Sequence, residues 1–294
     1  MNRICEVGTT MLSLPIVSSW LSCPSCSVSP RPLTPGENMD VTFTLLGTGT
    51  SHGVPVLACH CPVCTSPDPR NHRFRCSALL RFDGRTILID TATELRLQGI
   101  RAGLDRLDAI LFTHSHADHI GGLDDVRVFS ELQGQPLPCY GRSDCLEDIE
   151  RRFDYIFEQT PWGGGKPRLD LTPIDGPRTI FGLEIQPVPV FHGSLGVLGF
   201  RFGNAAYVTD CNRIPESSME LLRGLDLLVL DALRWKPHPT HFNVEQALEI
   251  IDRLRPARCY LTHTTHDLEY TATNAVLPQG VELAYDGLML EVMA

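Results

Sequence analysis

No apolar run in this chain approaches the roughly 18 residues that a bilayer-spanning helix needs, so no membrane-spanning helix is expected. Basic residues are short as well, with 25 Lys and Arg against 35 Asp and Glu and a net charge of −10. A general nucleic-acid binder carries a basic surface, so that class is disfavoured, although a local basic patch stays open. Internal repeats and low-complexity tracts are absent too. With 43% hydrophobic and 20% charged residues, wholesale disorder is excluded. A disulfide scaffold is excluded on other grounds: 11 cysteines cannot all pair, and 294 residues far exceed a small secreted scaffold.

Residues 1–40 are rich in Ser, Pro and Cys and lack periodicity. Met11 to Cys23 has the apolar character of a secretory signal. However, Pro15, Ser18, Ser19 and Ser22 interrupt it, Glu6 balances Arg3, and no small-x-small cleavage site follows. The expected organisation is a poorly structured tail or leader over 1–40, or a start codon misplaced ahead of Met39, and then one domain over 41–294. Cys23 and Cys26 form a C-x-x-C with no second ligand pair nearby and read as ordinary thiols.

From Val41 onward, strands alternate with helices. Val41 to Leu46 is a strand leading into Gly47-Thr48-Gly49-Thr50, and Asp83-Gly84 marks a hairpin between strands at 77–82 and 86–90. Helical faces recur at Leu146, Ile149, Phe153, Ile156 and Phe157, and at Val244, Ala247, Leu248, Ile251 and Leu254. Asn243 and Gln246 cap the latter, and Pro215 and Gly224 bracket a shorter helix. Gly163 to Gly165 precede Lys166-Pro167 rather than Lys-Ser/Thr, so they are no P-loop and read as a flexible connection or flap.

Four apolar runs stop at metal-type ligands: 109–113 at His114, 188–191 at His192, 205–209 at Asp210, and 258–262 at His263. Carboxyl ends of strands in an α/β sheet converge on one edge, where ligands bind. The densest stretch is His114-Ser115-His116-Ala117-Asp118-His119, in which Asp118 and His119 open a helix predicted to run to about Leu132. Such nitrogen and oxygen donors suit Zn²⁺, Mn²⁺ or Fe.

This H-x-H-x-D-H pattern, with His192, Asp210 and His263, resembles the metallo-β-lactamase superfamily over about 41–294. The resemblance implies an α/β fold, the four-layer αβ/βα sandwich, with two metals at one edge. By position, His114, His116 and His192 would bind one metal, Asp118, His119 and His263 the other, and Asp210 would bridge them. Asp90 would support the ligand loop, although Thr91-Ala92 stands where the family often has a nearby glycine. Two divalent ions about 3.5–4 Å apart can share a hydroxide and clamp a phosphoryl group. Asp118 could orient that hydroxide.

Cys59-His60-Cys61-Pro62-Val63-Cys64 offers three thiolates for a tetrahedral metal, and His266, three residues after His263, offers a fourth ligand. Here the chain resembles the PhnP-like phosphodiesterases of the carbon–phosphorus lyase pathway, in which a Cys₃His zinc sits beside the dinuclear site. The stretches 45–55 and 274–287 match the same family. By the match, His241 lies near the phosphate and could donate a proton or bind an oxygen, with His238 a weaker competitor. His60 is expected to point outward, His52 and His72 have no assigned role, and Cys76, Cys139, Cys145, Cys211 and Cys259 read as structural thiols.

The resemblance thus implies a metal-dependent hydrolase of a small, cyclic phosphate diester, namely phosphoribosyl 1,2-cyclic phosphate. It carries two Mn or Zn ions and one structural Zn, and its setting is phosphonate metabolism. Thiolate ligation points to a reducing, cytoplasmic compartment. No membrane or nucleic-acid partner is expected, and a homodimer is left open. The alternatives are a tRNA 3′-processing endonuclease, for which no basic tRNA-gripping arm is found, a β-lactamase or thioester hydrolase, and a non-enzymatic metal or redox module.

Overall fold

The structure, a computed structural model, describes residues 39–159 and 165–294. The expected tail up to residue 38, with Cys23 and Cys26, and the glycines Gly163 and Gly164 lie outside the described residues. In chain order the strands are β1 (Asp40–Gly47), β2 (Ser77–Phe82), β3 (Arg85–Ile89), β4 (Ala109–Leu111), β5 (Leu137–Gly141), β6 (Leu169–Pro173) and β7 (Arg178–Ile180). They continue as β8 (Leu183–His192), β9 (Leu195–Phe202), β10 (Ala205–Val208), β11 (Leu227–Asp231), β12 (Arg258–Thr262), β13 (Val281–Leu283) and β14 (Met289–Met293). The helices are α1 (Leu95–Arg101), α2 (Ala117–Ile120), α3 (Arg127–Leu132), α4 (Ser143–Arg152), α5 (Asp154–Phe157), α6 (Glu216–Leu221), α7 (Val244–Leu254) and α8 (Tyr270–Asn274). Among the described residues, no helix is long and apolar enough to cross a membrane.

The strands form two sheets, ordered β14-β1-β2-β3-β4-β5-β6 and β13-β12-β11-β10-β9-β8-β7. In each, one end is antiparallel and the other parallel: β3 to β6 run parallel in the first sheet and β10 to β13 in the second. Successive side chains of a strand point to opposite faces, and here both faces are buried. On β3, Ile87 and Ile89 enter the layer between the sheets while Leu88 faces the helices. On β11, Leu227 and Val229 enter the same central layer while Leu228 and Leu230 face helices on the far side. Three apolar layers therefore separate helix, sheet, sheet and helix, which is the expected αβ/βα sandwich. Helix α7 begins with the expected capping box between Asn243 and Gln246.

The helix predicted from Asp118 to Leu132 is three pieces: α2, a 3₁₀ turn over Leu123–Val126, and α3. The break is at Gly121-Gly122. A Cβ on Gly122 would lie 2.2 Å from the Ala92 carbonyl oxygen, and the Gly122 N–H donates to the Thr91 carbonyl at 2.9 Å. Tight docking of this turn against the 90–95 segment overrides helix continuity. The 146–157 face is likewise split at Phe153 between α4 and α5.

Phe43 of β1 lies at the centre of the inter-sheet layer, edge-on to Phe202 (5.1 Å between centroids) and to Tyr207 (6.0 Å). Phe43→Ala should lower the unfolding free energy by about 3–5 kcal/mol, read from denaturant melts.

Candidate functional site

The site forms where the sheets' edges meet. The loop after β4 carries His114 and His116 and runs into α2 with Asp118 and His119. From the second sheet, β8 ends at His192, Asp210 follows β10, and His263 follows β12. Asp90, Asp210 and His263, each just past a strand, have φ of 60°, 50° and 58°. Left-handed backbone at a non-glycine residue costs about 1–2 kcal/mol, and it turns each side chain sharply off its strand toward the shared edge.

Asp210 sits at the centre. Its Oδ1 lies 3.2 Å from His119 Nε2, and its Oδ2 lies 3.3 Å from His263 Nε2 and 3.8 Å from His114 Nε2. Asp118 Oδ2 approaches His119 Nε2 (3.5 Å) and His263 Nε2 (3.8 Å). Donor atoms of Asp118, His119, Asp210 and His263 all fall within 4.8 Å of one another, as do those of His114, His116 and Asp210. His192 forms such a set with Asp210 and His241; its ring is 5.1 Å from that of His116.

The other ring nitrogens are anchored. His119 Nδ1 donates to Asp90 Oδ2 at 2.7 Å. Thr113 Oγ1 donates to the same oxygen (2.7 Å) and accepts from His114 Nδ1 (3.0 Å). His192 Nδ1 donates to the Thr240 carbonyl at 2.7 Å. Each anchor fixes the tautomer and leaves Nε2 free for the site. From α4, Asp148 accepts the Ser115 hydroxyl and Arg152 grips its carbonyl, both at 2.7 Å, which fixes the residue between His114 and His116.

Burial works to raise Asp210, but His263, His119 and His114 outweigh it and hold the carboxyl well below its usual range. Burial also opposes ionisation of Asp118, yet His119 and His263 hold it low. Burial and the neighbouring His119 push His114 well below an ordinary histidine. His119 rises well above one because Asp210, Asp90 and Asp118 overcome its burial. The donors fit divalent cations: Nε2 of His114, His119 and His263 are all buried without a hydrogen-bond partner, which proteins seldom tolerate.

Cys59, Cys61 and Cys64 bring their sulfurs to 3.3, 3.6 and 3.2 Å from His266 Nδ1. Tetrahedral Zn–S and Zn–N bonds of about 2.3 and 2.0 Å place such atoms about 3.5 Å apart. Backbone N–H groups of Val56 and Cys64 point at two of the sulfurs. Buried Arg73 holds the carbonyls of Thr265 and Leu268 at 2.8 and 2.6 Å and so fixes the loop bearing His266. His60, His52 and His72 are exposed, and Cys76, Cys139, Cys145, Cys211 and Cys259 are buried free thiols.

His241 is 7% exposed and stacks on His263 at 4.6 Å. His238 is 5.1 Å farther out. Sequence reasoning missed Asp231, the buried last residue of β11, whose Oδ2 lies 3.3 Å from His241 Nδ1 and whose Oδ1 lies 3.6 Å from His263 Nδ1. The signal was available, since Leu227 to Leu230 is another apolar run that stops at a carboxylate. It also missed how Asp286 ties the first and last matching stretches together, accepting from Thr48 N (3.0 Å) and Phe74 N (2.7 Å).

Residues 85–264 match the Beta-lactamase superfamily domain. The chain belongs to the metallo-β-lactamase superfamily by fold and site. Within that class it is PhnP-like. A crystal structure described as a new diphosphatase from the PhnP family is 43% identical, with a TM-score of 0.83 and coverage of 87% of this chain and 99% of the other. An octanoyltransferase of Porphyromonas gingivalis is 38% identical over 249 residues, 83% of this chain but 50% of the relative, so the chain spans about half its length. A ribonuclease Z of Mycobacterium avium is 32% identical over 255 residues, 76% of this chain and 85% of the relative.

Asp90→Asn should weaken metal binding at the edge about 10–100-fold, measured by chelator competition, because the carboxylate that accepts from His119 Nδ1 and from Thr113 Oγ1, itself the acceptor of His114 Nδ1, becomes a neutral amide. Cys64→Ser should lower tightly bound zinc by about one ion per chain in elemental analysis.

Proposed function

We propose that the chain is a metal-dependent phosphodiesterase acting on a small phosphate diester, with phosphoribosyl 1,2-cyclic phosphate, opened to ribose 1,5-bisphosphate, as the leading substrate. The observation that carries this reading is the Asp210-centred donor set standing with the Cys₃His cluster in a chain 43% identical to a PhnP-family diphosphatase. Two divalent cations, Mn or Zn, would neutralise phosphoryl oxygens and make water nucleophilic near neutral pH. His114, His116 and His192 would hold one, Asp118, His119 and His263 the other, with Asp210 between them; a zinc would close the Cys59, Cys61, Cys64 and His266 set.

Asp118 is the general base. Its carboxylate is 12% exposed, the most open of the carboxylates around Asp210, and its neighbours keep it ionised. It orients the attacking water and takes its proton as the new P–O bond forms. His241 gives a proton to the departing ring oxygen as the old P–O bond breaks. Asp231, beside its Nδ1, orients the ring and leaves Nε2 for the leaving group. The three thiolate ligands favour a reducing cytoplasm.

Asp118→Ala should abolish hydrolysis of bis(p-nitrophenyl) phosphate by the Mn²⁺-loaded protein, and full retained activity would sink the mechanism. His241→Ala should lower kcat about 10²–10⁴-fold for an alkoxide leaving group but far less for nitrophenolate, which needs no proton. Tested by that pair of substrates, an equal loss on both would remove His241 as the acid.

A second reading, tRNA 3′ processing, draws on the ribonuclease Z relative. The net charge of −10 opposes it, and cleavage of a precursor tRNA at rates matching the small diester would favour it.

A further inference from the structure

The segment joining Asp231 to His241 begins and ends in the site. Between Asp231 and Glu245 the chain has no acidic residue, yet it carries Arg234, Lys236 and His238 in a protein of net charge −10. The loop is stapled at its base. Leu233 N–H donates to Phe242 O (2.9 Å), Val244 N–H to Arg234 O (3.0 Å), and the Asn243 side-chain amide to Trp235 O (3.0 Å). Asn212 holds Pro239 O at 2.8 Å, and Thr240 O is the anchor of His192. Pro237 and Pro239 restrict the backbone between these ties. The loop is a rigid rim built onto the metal ligands.

A row of imidazoles runs outward along it. His263 stacks on His241 at 4.6 Å, and His238 follows at 5.1 Å. His238 Nδ1 accepts from the Thr240 N–H at 3.4 Å, so Nε2 carries the ring proton and can donate it to a ligand. Arg234 donates Nε to the Lys236 carbonyl at 3.3 Å, which leaves its Nη groups free of that bond. On the side of the first sheet the cations differ: Arg127 pairs with Asp124 at 3.0 Å, Arg142 with Asp144 at 3.0 Å, Arg152 with Asp148 at 3.6 Å, and Arg151 also pairs with Asp148. Among the described residues, no carboxylate is paired with Arg234 or Lys236.

We infer that the loop 232–240 is the subsite for a second, non-transferred phosphate of the substrate, with Arg234 and Lys236 holding the phosphate oxygens and His238 donating a hydrogen bond. This rests on the phosphodiesterase reading and adds to it the residues that select a diester bearing a distal phosphate monoester. Charge-assisted hydrogen bonds to phosphate are the strong class, and two unpaired cations on a pre-organised loop lose little freedom on binding.

The test uses the whole chain loaded with Mn²⁺, with ribose 1,2-cyclic phosphate offered with and without its 5-phosphate, and bis(p-nitrophenyl) phosphate as a third diester. The double variant Arg234→Ala/Lys236→Ala should lose about 10–100-fold in kcat/KM on the 5-phosphorylated substrate, mostly through KM, and change little on the other two. Arg234→Lys in an otherwise unchanged chain should recover part of the loss relative to Arg234→Ala. Calorimetric binding of ribose 5-phosphate, which needs no turnover, should weaken by the same factor. An equal loss on all three diesters, or unchanged ribose 5-phosphate affinity in the double variant, overturns the subsite. If the wild type hydrolyses none of the diesters, the phosphodiesterase reading fails, while the binding arm still decides whether the loop holds a phosphate.

Discussion

A carboxylate from one sheet facing imidazoles from the other is the contact on which the site depends. Asp210 leaves β10 in the second sheet and meets His114 and His119, which follow β4 in the first. Ångström-scale placement across two sheets requires that the sheets cannot slide. The central layer, with Phe43, Phe200, Phe202 and Tyr207 fully buried between them, supplies that constraint. Left-handed turns at Asp90, Asp210 and His263 then convert strand ends into converging ligands. Rigid strands set where the chain stops, and single strained residues set where the side chains aim.

The ligand side chains are held by partners of unlike kinds. One carboxylate, Asp90, orients two histidines, directly and through Thr113. A backbone carbonyl orients a third, and Asp231 sits beside a fourth and beside His241. The Cys₃His cluster is tied to these ligands through the chain itself, because His266 lies three residues beyond His263, just after β12.

Much of this was legible in the sequence for a physical reason. Strands buried on both faces read as unbroken apolar runs, and their ends were marked by residues that an apolar run would not otherwise contain. The H-x-H-x-D-H stretch and the C-x-C-x-x-C stretch carried their spacing on one local segment each. What stayed hidden depends on three-dimensional approach. The division of 118–132 into short pieces follows from the contact of Gly122 with Ala92, far away in sequence terms from any helix rule. The grouping of His192 with His241 depends on how the loop after β11 folds back. Asp231 ended an apolar run as Asp210 did, but the family resemblance assigned a ligand role to Asp210 alone.

The pairing of β14 with β1 has a consequence for how the molecule is made. Asp40 lies opposite Met293, and Leu45 takes its backbone partner from Leu288. During synthesis the first sheet therefore waits with an open edge until nearly the whole domain has emerged, since its outer strand is the last one built. Contacts of such long range slow folding and leave an unpaired strand available to other chains. The sheet that leads into H-x-H-x-D-H therefore receives its outer strand only after Asp210 and His263 have been made.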